Sequence, residues 1–195
     1  MNHFFAYMSR LKLIRRWSLM RNTQPENDAE HSLQVAMIAH GIALIAKQRY
    51  SREVDEEHVV TLAVYHDASE VLTGDLPTPV KYYSREMRDA FYTVEDQAVK
   101  RLSAMLPEDL RDSIEACMSE NGTYERTIVK AADRISAYTK CIEEQRAGNH
   151  EFDAAAVTIR KSIEAMDLPE VQDFMREMVP AFALTLDELN KPEGC

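Results

Sequence analysis

The sequence predicts an all-α fold, and three observations carry that expectation. Apolar residues recur at helical spacing along most of the chain, while strand-like alternation is scarce. Glycine and proline are few, 5 and 7 in 195 residues, and they gather where the helical pattern stops. Residues suited to helix caps stand just ahead of several apolar stretches. The length of 195 residues fits one domain with a sizeable core, a bundle of seven to eight helices.

Each element follows from local pattern. Phe4, Met8, Leu11 and Ile14 fall at i, i+4, i+7 and i+10, which predicts a first helix over roughly 3–20. Residues 22–27, with Pro25, interrupt it. Asn27 is an N-cap with Glu30 three residues on, so a second helix runs from about 28 to 49. Asp55 caps a third, which continues through Val59, Leu62 and Ala63 to Leu72. Residues 73–79 hold one glycine and two prolines, which predicts a loop. Ser84 starts a fourth helix reaching Leu106, and Pro107 suits the first turn of a fifth. Asn121-Gly122 is a stop. Thr123 to Ala147 forms a long sixth helix, ended by Gly148 and Asn149. A seventh covers about 151–166, and Pro169 opens an eighth that Pro180 kinks or ends.

The net charge of −10 argues against non-specific binding to nucleic acid or to an anionic membrane surface, both of which are polyanions. The charge is uneven. Residues 1–25 contain no Asp or Glu and carry Arg10, Lys12, Arg15, Arg16 and Arg21. Cys117, Cys141 and Cys195 are scattered and odd in number, so no disulfide framework is expected and a reducing cytoplasm is the expected location. No continuous apolar run reaches the ~18 residues of a membrane span, and no signal peptide is evident.

The chemistry concentrates on a few residues. His66 is followed directly by Asp67 within the apolar third helix. Imidazole and carboxylate together suit a divalent transition metal such as Zn, Mn, Fe or Co. Two ligands are too few, and the second and sixth helices offer His31 and Asp133. Asp133 stands among Ile128, Val129, Ala131, Ala132 and Ile135, where a carboxylate needs a partner. The expected metal set is therefore His31, His66, Asp67 and Asp133. His3, His40, His58 and His150 match no such pattern. Glu70 follows His66 by four residues and Asp67 by three, on neighbouring parts of one surface, where it can carry a proton.

The order His31, His66-Asp67, Asp133 resembles the signature of the HD-domain metal-dependent phosphohydrolases, an all-α superfamily. Three stretches resemble its bacterial 5′-deoxynucleotidases more closely. They are Ser-Arg-Leu-Lys-Leu-Ile-Arg-Arg-Trp at 9–17, Glu-His-Ser-Leu-Gln-Val-Ala-Met at 30–37, and Tyr-His-Asp-Ala-Ser-Glu-Val-Leu-Thr-Gly-Asp-Leu-Pro-Thr-Pro-Val-Lys at 65–81. The resemblance covers nearly the whole chain. It implies one HD-type domain over 1–195, with its core at about 28–140 and flanking terminal helices packed on it.

The resemblance also implies one divalent cation per subunit (Co, Mn, Zn or similar) and hydrolysis of 2′-deoxyribonucleoside 5′-monophosphates, with selection against ribonucleotides. Water would attack phosphorus directly, without a covalent enzyme intermediate. No histidine lies between Asp67 and Asp133, which favours a single metal. Arg16 would grip the phosphate, and Trp17 would pack where a 2′-hydroxyl clashes. Asp75, Leu76, Pro77 and Thr78 would contact the nucleotide, as would His31, Asp67 and Asp133, with Lys81 adding charge. Glu70, Arg16 and Asp75 would form the catalytic set. The implied assembly is a homodimer. The competing readings are an HD hydrolase of another nucleotide (a deoxynucleoside triphosphate, a cyclic nucleotide or guanosine pyrophosphate) and a catalytically silent nucleotide- or metal-sensing module.

Overall fold

The computed structural model describes residues 1–191, so Cys195 lies outside the described part. Among those residues there are eleven α-helices and an isolated Arg15–Asn27 bridge. The helices are α1 (Phe4–Met8), α2 (Asp28–Tyr50), α3 (Glu56–Val64), α4 (Glu70–Thr73), α5 (Thr78–Lys81), α6 (Arg85–Ser103), α7 (Glu108–Ser119), α8 (Tyr124–Arg146), α9 (Asp153–Glu164), α10 (Pro169–Glu177) and α11 (Leu186–Leu189). Several start where a cap was expected. Asn27 accepts from the amides of Ala29 and Glu30, and Asp55 from those of Glu57 and His58. Ser84 accepts from Met87, and Thr123 from Arg126.

Two expected helices are broken, and each break falls at residues of the expected metal and phosphate set. The predicted helix over 3–20 ends at Met8, gives way to a short 3-10 turn at Leu11–Leu13, and then runs extended. Tertiary partners displace helical ones here. The Arg16 amide donates to the Glu26 carbonyl at 3.1 Å, and the Asp28 amide to the Ile14 carbonyl at 3.1 Å. Trp17 then reverses the chain at φ 56°, a left-handed conformation that costs a bulky residue about 1–3 kcal/mol. The predicted third helix stops at Val64 and resumes only at Glu70, so His66 and Asp67 stand in the turn between α3 and α4. Pro180 ends the eighth predicted helix in a 3-10 turn, Val179–Ala183, and Thr185 caps α11 with Glu188 in a capping box.

Helix α2 is the centre of the bundle. Its Val35, Ala39, Ile42 and Ala43 are fully buried, packed with Val59, Leu62 and Ala63 of α3, Ile128, Ala132 and Ile135 of α8, and Val171 and Phe174 of α10. Small residues let the axes approach: a Cβ on Gly41 would stand 2.9 Å from the Phe174 ring. By length and apolarity α2 also passes for a membrane-crossing helix. Its buried residues include the polar Asp28, His31 and Ser32, and its packing is that of a core helix.

A second cluster joins Phe4 of α1 to Ala68, Val99, Leu102, Leu106 and Met118. A third sets Trp17 against Phe152, with ring centroids 5.3 Å apart. The loop between Trp17 and Asn27 is clamped onto α8 by Glu144, which is 1% exposed. Its carboxylate accepts from the amides of Thr23 and Gln24, the Thr23 hydroxyl, the Asn149 amide and the Lys140 ammonium.

Candidate metal and phosphate site

Three elements converge: the first turn of α2, the turn between α3 and α4, and the middle of α8. Asn27 starts α2 in a position that leaves His31 fully buried, facing α8. The Ser136 hydroxyl donates to Gln34 Oε1 at 2.6 Å, so its oxygen is left to accept from His31 Nδ1 at 3.0 Å. In the neutral ring, that arrangement leaves the Nε2 lone pair aimed at Asp133, whose Oδ1 is 3.1 Å away. The same logic holds for His66. Its Nδ1 donates to the Ala63 carbonyl at 2.8 Å, a carbonyl freed because α3 has ended. Nε2 of His66 is buried and makes no hydrogen bond, because with Nδ1 donating it presents a lone pair and its 3.0 Å neighbour, Asp67 Oδ2, is also an acceptor.

The ligand atoms of His31, His66 and Asp133 all lie within 4.8 Å of one another. Asp67 completes the cluster from the side. Its Oδ2 is 3.0 Å from His66 Nε2 and 3.7 Å from His31 Nε2, and Arg16 Nη1 stands 3.2 Å from the same oxygen. The Asp133 side chain is 41% exposed, so the cluster is open to a ligand.

The electrostatics describe a cage that favours positive charge. Burial and Arg16 both oppose a charge on His31, yet the hydrogen bond to Asp133 and the nearby carboxylate of Glu26 outweigh them and push it up to about 9. Burial opposes ionisation of Asp67 as well, but His66, His31 and Arg16 hold its carboxyl far below the usual range. Two imidazole nitrogens with fixed tautomers, one of them orphaned, and two carboxylates beside them fit a divalent cation.

Glu70 opens α4 with its Oε2 buried and without a partner. Burial above all, then the charges of Asp67, Asp28 and Asp75, push its carboxyl far above the usual range, to about 11. Asp75 is half-buried, and burial, with the charge of Asp67, pushes its carboxyl up against the pull of Arg16 and His31. Leu76 and Pro77 are half-buried and Thr78 is exposed at the start of α5. The Lys81 ammonium is held elsewhere, 3.0 Å from Glu95 and 4.3 Å over the Phe91 ring.

Two residues that sequence reasoning missed sit at the centre. Glu26 accepts from Trp17 Nε1 at 2.8 Å and lies 3.6 Å from Arg16 and 3.7 Å from His31. Its one signal was position, as the first acid after 25 residues without any. Asp28, read only as the start of a helix, is fully buried with both carboxylate oxygens unpartnered, 4.0 Å from Arg16 Nη1.

Comparison with known proteins points the same way. Residues 3–182 match the family model described as 5′-deoxynucleotidase YfbR-like. A 5′-deoxynucleotidase of Enterobacter sp. (strain 638) is 48% identical over 192 residues, covering 97% of this chain and 96% of that protein. The 5′-deoxynucleotidase YfbR of Salmonella arizonae is 47% identical over the same length, again 97% of this chain and 96% of that protein. Among solved structures, an HD-domain phosphohydrolase from Listeria innocua superposes with a TM-score of 0.82 at 26% identity, over 92% of this chain and 88% of that one. The cyanophage S-2L HD phosphohydrolase, bound to dA and one catalytic Zn2+ ion, shares the fold at a TM-score of 0.63 and 23% identity, over 91% of this chain and 95% of that one.

Proposed function

The chain belongs to the YfbR-like 5′-deoxynucleotidase family and is a phosphoric monoester hydrolase, and from that premise we propose how its residues act. The substrate is a 2′-deoxyribonucleoside 5′-monophosphate, and the products are the deoxynucleoside and inorganic phosphate. His31, His66, Asp67 and Asp133 hold one divalent cation. When bound, it supplies a Lewis acid for the phosphoryl oxygens and lowers the pKa of water. The observation that carries this reading is the orphaned, buried Nε2 of His66, locked in its tautomer by the Ala63 carbonyl.

The protein groups do the rest. Arg16 carries fixed donors for a phosphate oxygen from the Asp67 side. Burial and three neighbouring acids favour the neutral, proton-carrying form of Glu70. It therefore gives its proton to the leaving 5′-oxygen, which needs one as the P–O bond breaks. Asp75, whose carboxyl feels the charges of Arg16, Asp67 and His31, orients the attacking water. Trp17, pinned by Glu26 and backed by Phe152, lies where the 2′-position of the sugar packs and leaves a 2′-hydroxyl no partner. Leu76, Pro77 and Thr78 line the nucleotide's path.

The enzyme works as a homodimer in the cytoplasm, where Cys117 and Cys141 stay free thiols. The test is phosphate release from dAMP and AMP by the metal-stripped chain with Co, Mn, Mg or Zn restored singly. Release from dAMP well above AMP with at least one metal supports the reading. Equal rates, or none with any metal, overturn it.

A further inference from the structure

Arg126 is a cation without a counter-ion. It stands in the first turn of α8, two turns before Asp133 and seven residues away, so the two share one face of the helix roughly 10 Å apart along its axis. Its Nε and Nη1 are buried, and neither has a hydrogen-bond partner. Among the described residues no carboxylate oxygen comes within 4.0 Å of it. The acids whose charge reaches it are Asp67 and Asp133, then Glu120 and Glu95, and none of them touches it. Glu120 is instead engaged by His58 at 3.0 Å and by the Thr123 hydroxyl at 2.8 Å, and Glu95 by Lys81. Burial consequently pulls the Arg126 guanidinium below its ordinary range.

A buried guanidinium left unpaired is costly unless an anion arrives to pair with it. The other cations near the cluster each have a carboxylate within 4.0 Å. Arg16 has Asp67 at 3.2 Å, Glu26 at 3.6 Å and Asp28 at 4.0 Å, and Lys81 has Glu95 at 3.0 Å. Arg126 alone keeps two donors uncommitted while facing the two acids of the cluster. We propose that the anion it pairs with is the phosphoryl group, and that Arg126 is a second phosphate-binding arginine, gripping the substrate phosphate from α8 in addition to Arg16. The inference rests on the phosphatase reading above.

The test compares wild type with Arg126→Met and Arg126→Lys in the metal-loaded full chain. A charge-assisted hydrogen bond to phosphate is worth enough for at least about a tenfold effect. Arg126→Met should raise KM for dAMP at least about tenfold and weaken inhibition by inorganic phosphate by a similar factor. Inhibition by the product deoxyadenosine, which lacks the phosphate, should stay unchanged. Arg126→Lys should recover part of the phosphate affinity. Because the arginine has no partner to lose, Arg126→Met should melt at or above the wild-type temperature without phosphate, and gain less when phosphate is added. Unchanged phosphate inhibition in Arg126→Met overturns the inference, as does an equal weakening of phosphate and deoxyadenosine or a lower melting temperature with phosphate affinity intact. Loss of the phosphatase reading itself shows separately, as a wild-type chain that releases no phosphate from dAMP.

Discussion

Asp133 and Glu144 stand three turns apart on α8, and each meets the segment before α2 under opposite rules. Glu144 itself is saturated: two backbone amides, a hydroxyl, a carboxamide and the Lys140 ammonium converge on one carboxylate. Around Asp133 the orphans collect: His66 Nε2, both oxygens of Asp28, Glu70 Oε2 and Arg16 Nε. Both groups lie on one helix in one bundle, so the difference is not one of fold quality. A saturated buried charge holds the chain together, whereas an unsaturated one awaits something the chain does not supply.

That contrast sorts the expected outcomes. The largest is for His66→Ala, which should lose bound metal and turnover together, read by elemental analysis and phosphate release. Glu70→Gln should keep its metal while kcat for dAMP falls about 10²- to 10⁴-fold, the usual worth of a positioned proton donor. Retained kcat there would remove Glu70 from the proton pathway. On the saturated side, Glu144→Ala should cost about 3–5 kcal/mol in denaturant unfolding, because it strands Lys140 and the Thr23 and Gln24 amides.

The two groups should also respond to pH with opposite sign. Glu144 is buried, which opposes its charge, but the bonds from Lys140, Asn149 and Thr23 hold it well below its unfolded value. Its contribution is present at neutral pH and fades as pH falls. Asp28 is pushed by burial from 3.8 to about 6, against the pull of Arg16. The folded chain then binds that proton more tightly than the unfolded chain, so stability falls as pH rises through about 6. In the metal-free chain, Asp28→Asn should gain about 2–3 kcal/mol at pH 8 and nothing near pH 3, measured by denaturant titration. The smallest effect is for Trp17→Ala, where the dAMP-to-AMP ratio of kcat/KM should drop about tenfold.

Much of the site was legible because its chemistry is uncommon in sequence. A histidine beside an aspartate, and an aspartate among isoleucines and alanines, stand out from any helical background. The caps at Asn27, Asp55, Ser84 and Thr123 were legible for a similar reason, since a side-chain oxygen before an apolar run is a local signal. The break at residues 65–69 was not. Its sequence keeps helical spacing, and the contact that accompanies the break, His66 Nδ1 on the Ala63 carbonyl, leaves no mark in that spacing. The extended run at 14–17 was hidden likewise, because its partners lie at 26–28 and propensity carries no record of them. Glu26 and Asp28 were invisible as site residues because their roles depend on that pairing.

The Glu144 clamp has a consequence in time as well as in space. Thr23 and Gln24 belong to a loop, where amide protons ordinarily exchange with water almost freely. Here those protons are committed to a carboxylate that is 1% exposed, and they are released only when the clamp opens. Their exchange should be as slow as that of a core helix. The loop that follows Arg16 and Trp17 and ends at Glu26 is thus held against α8 for as long as the clamp stays shut.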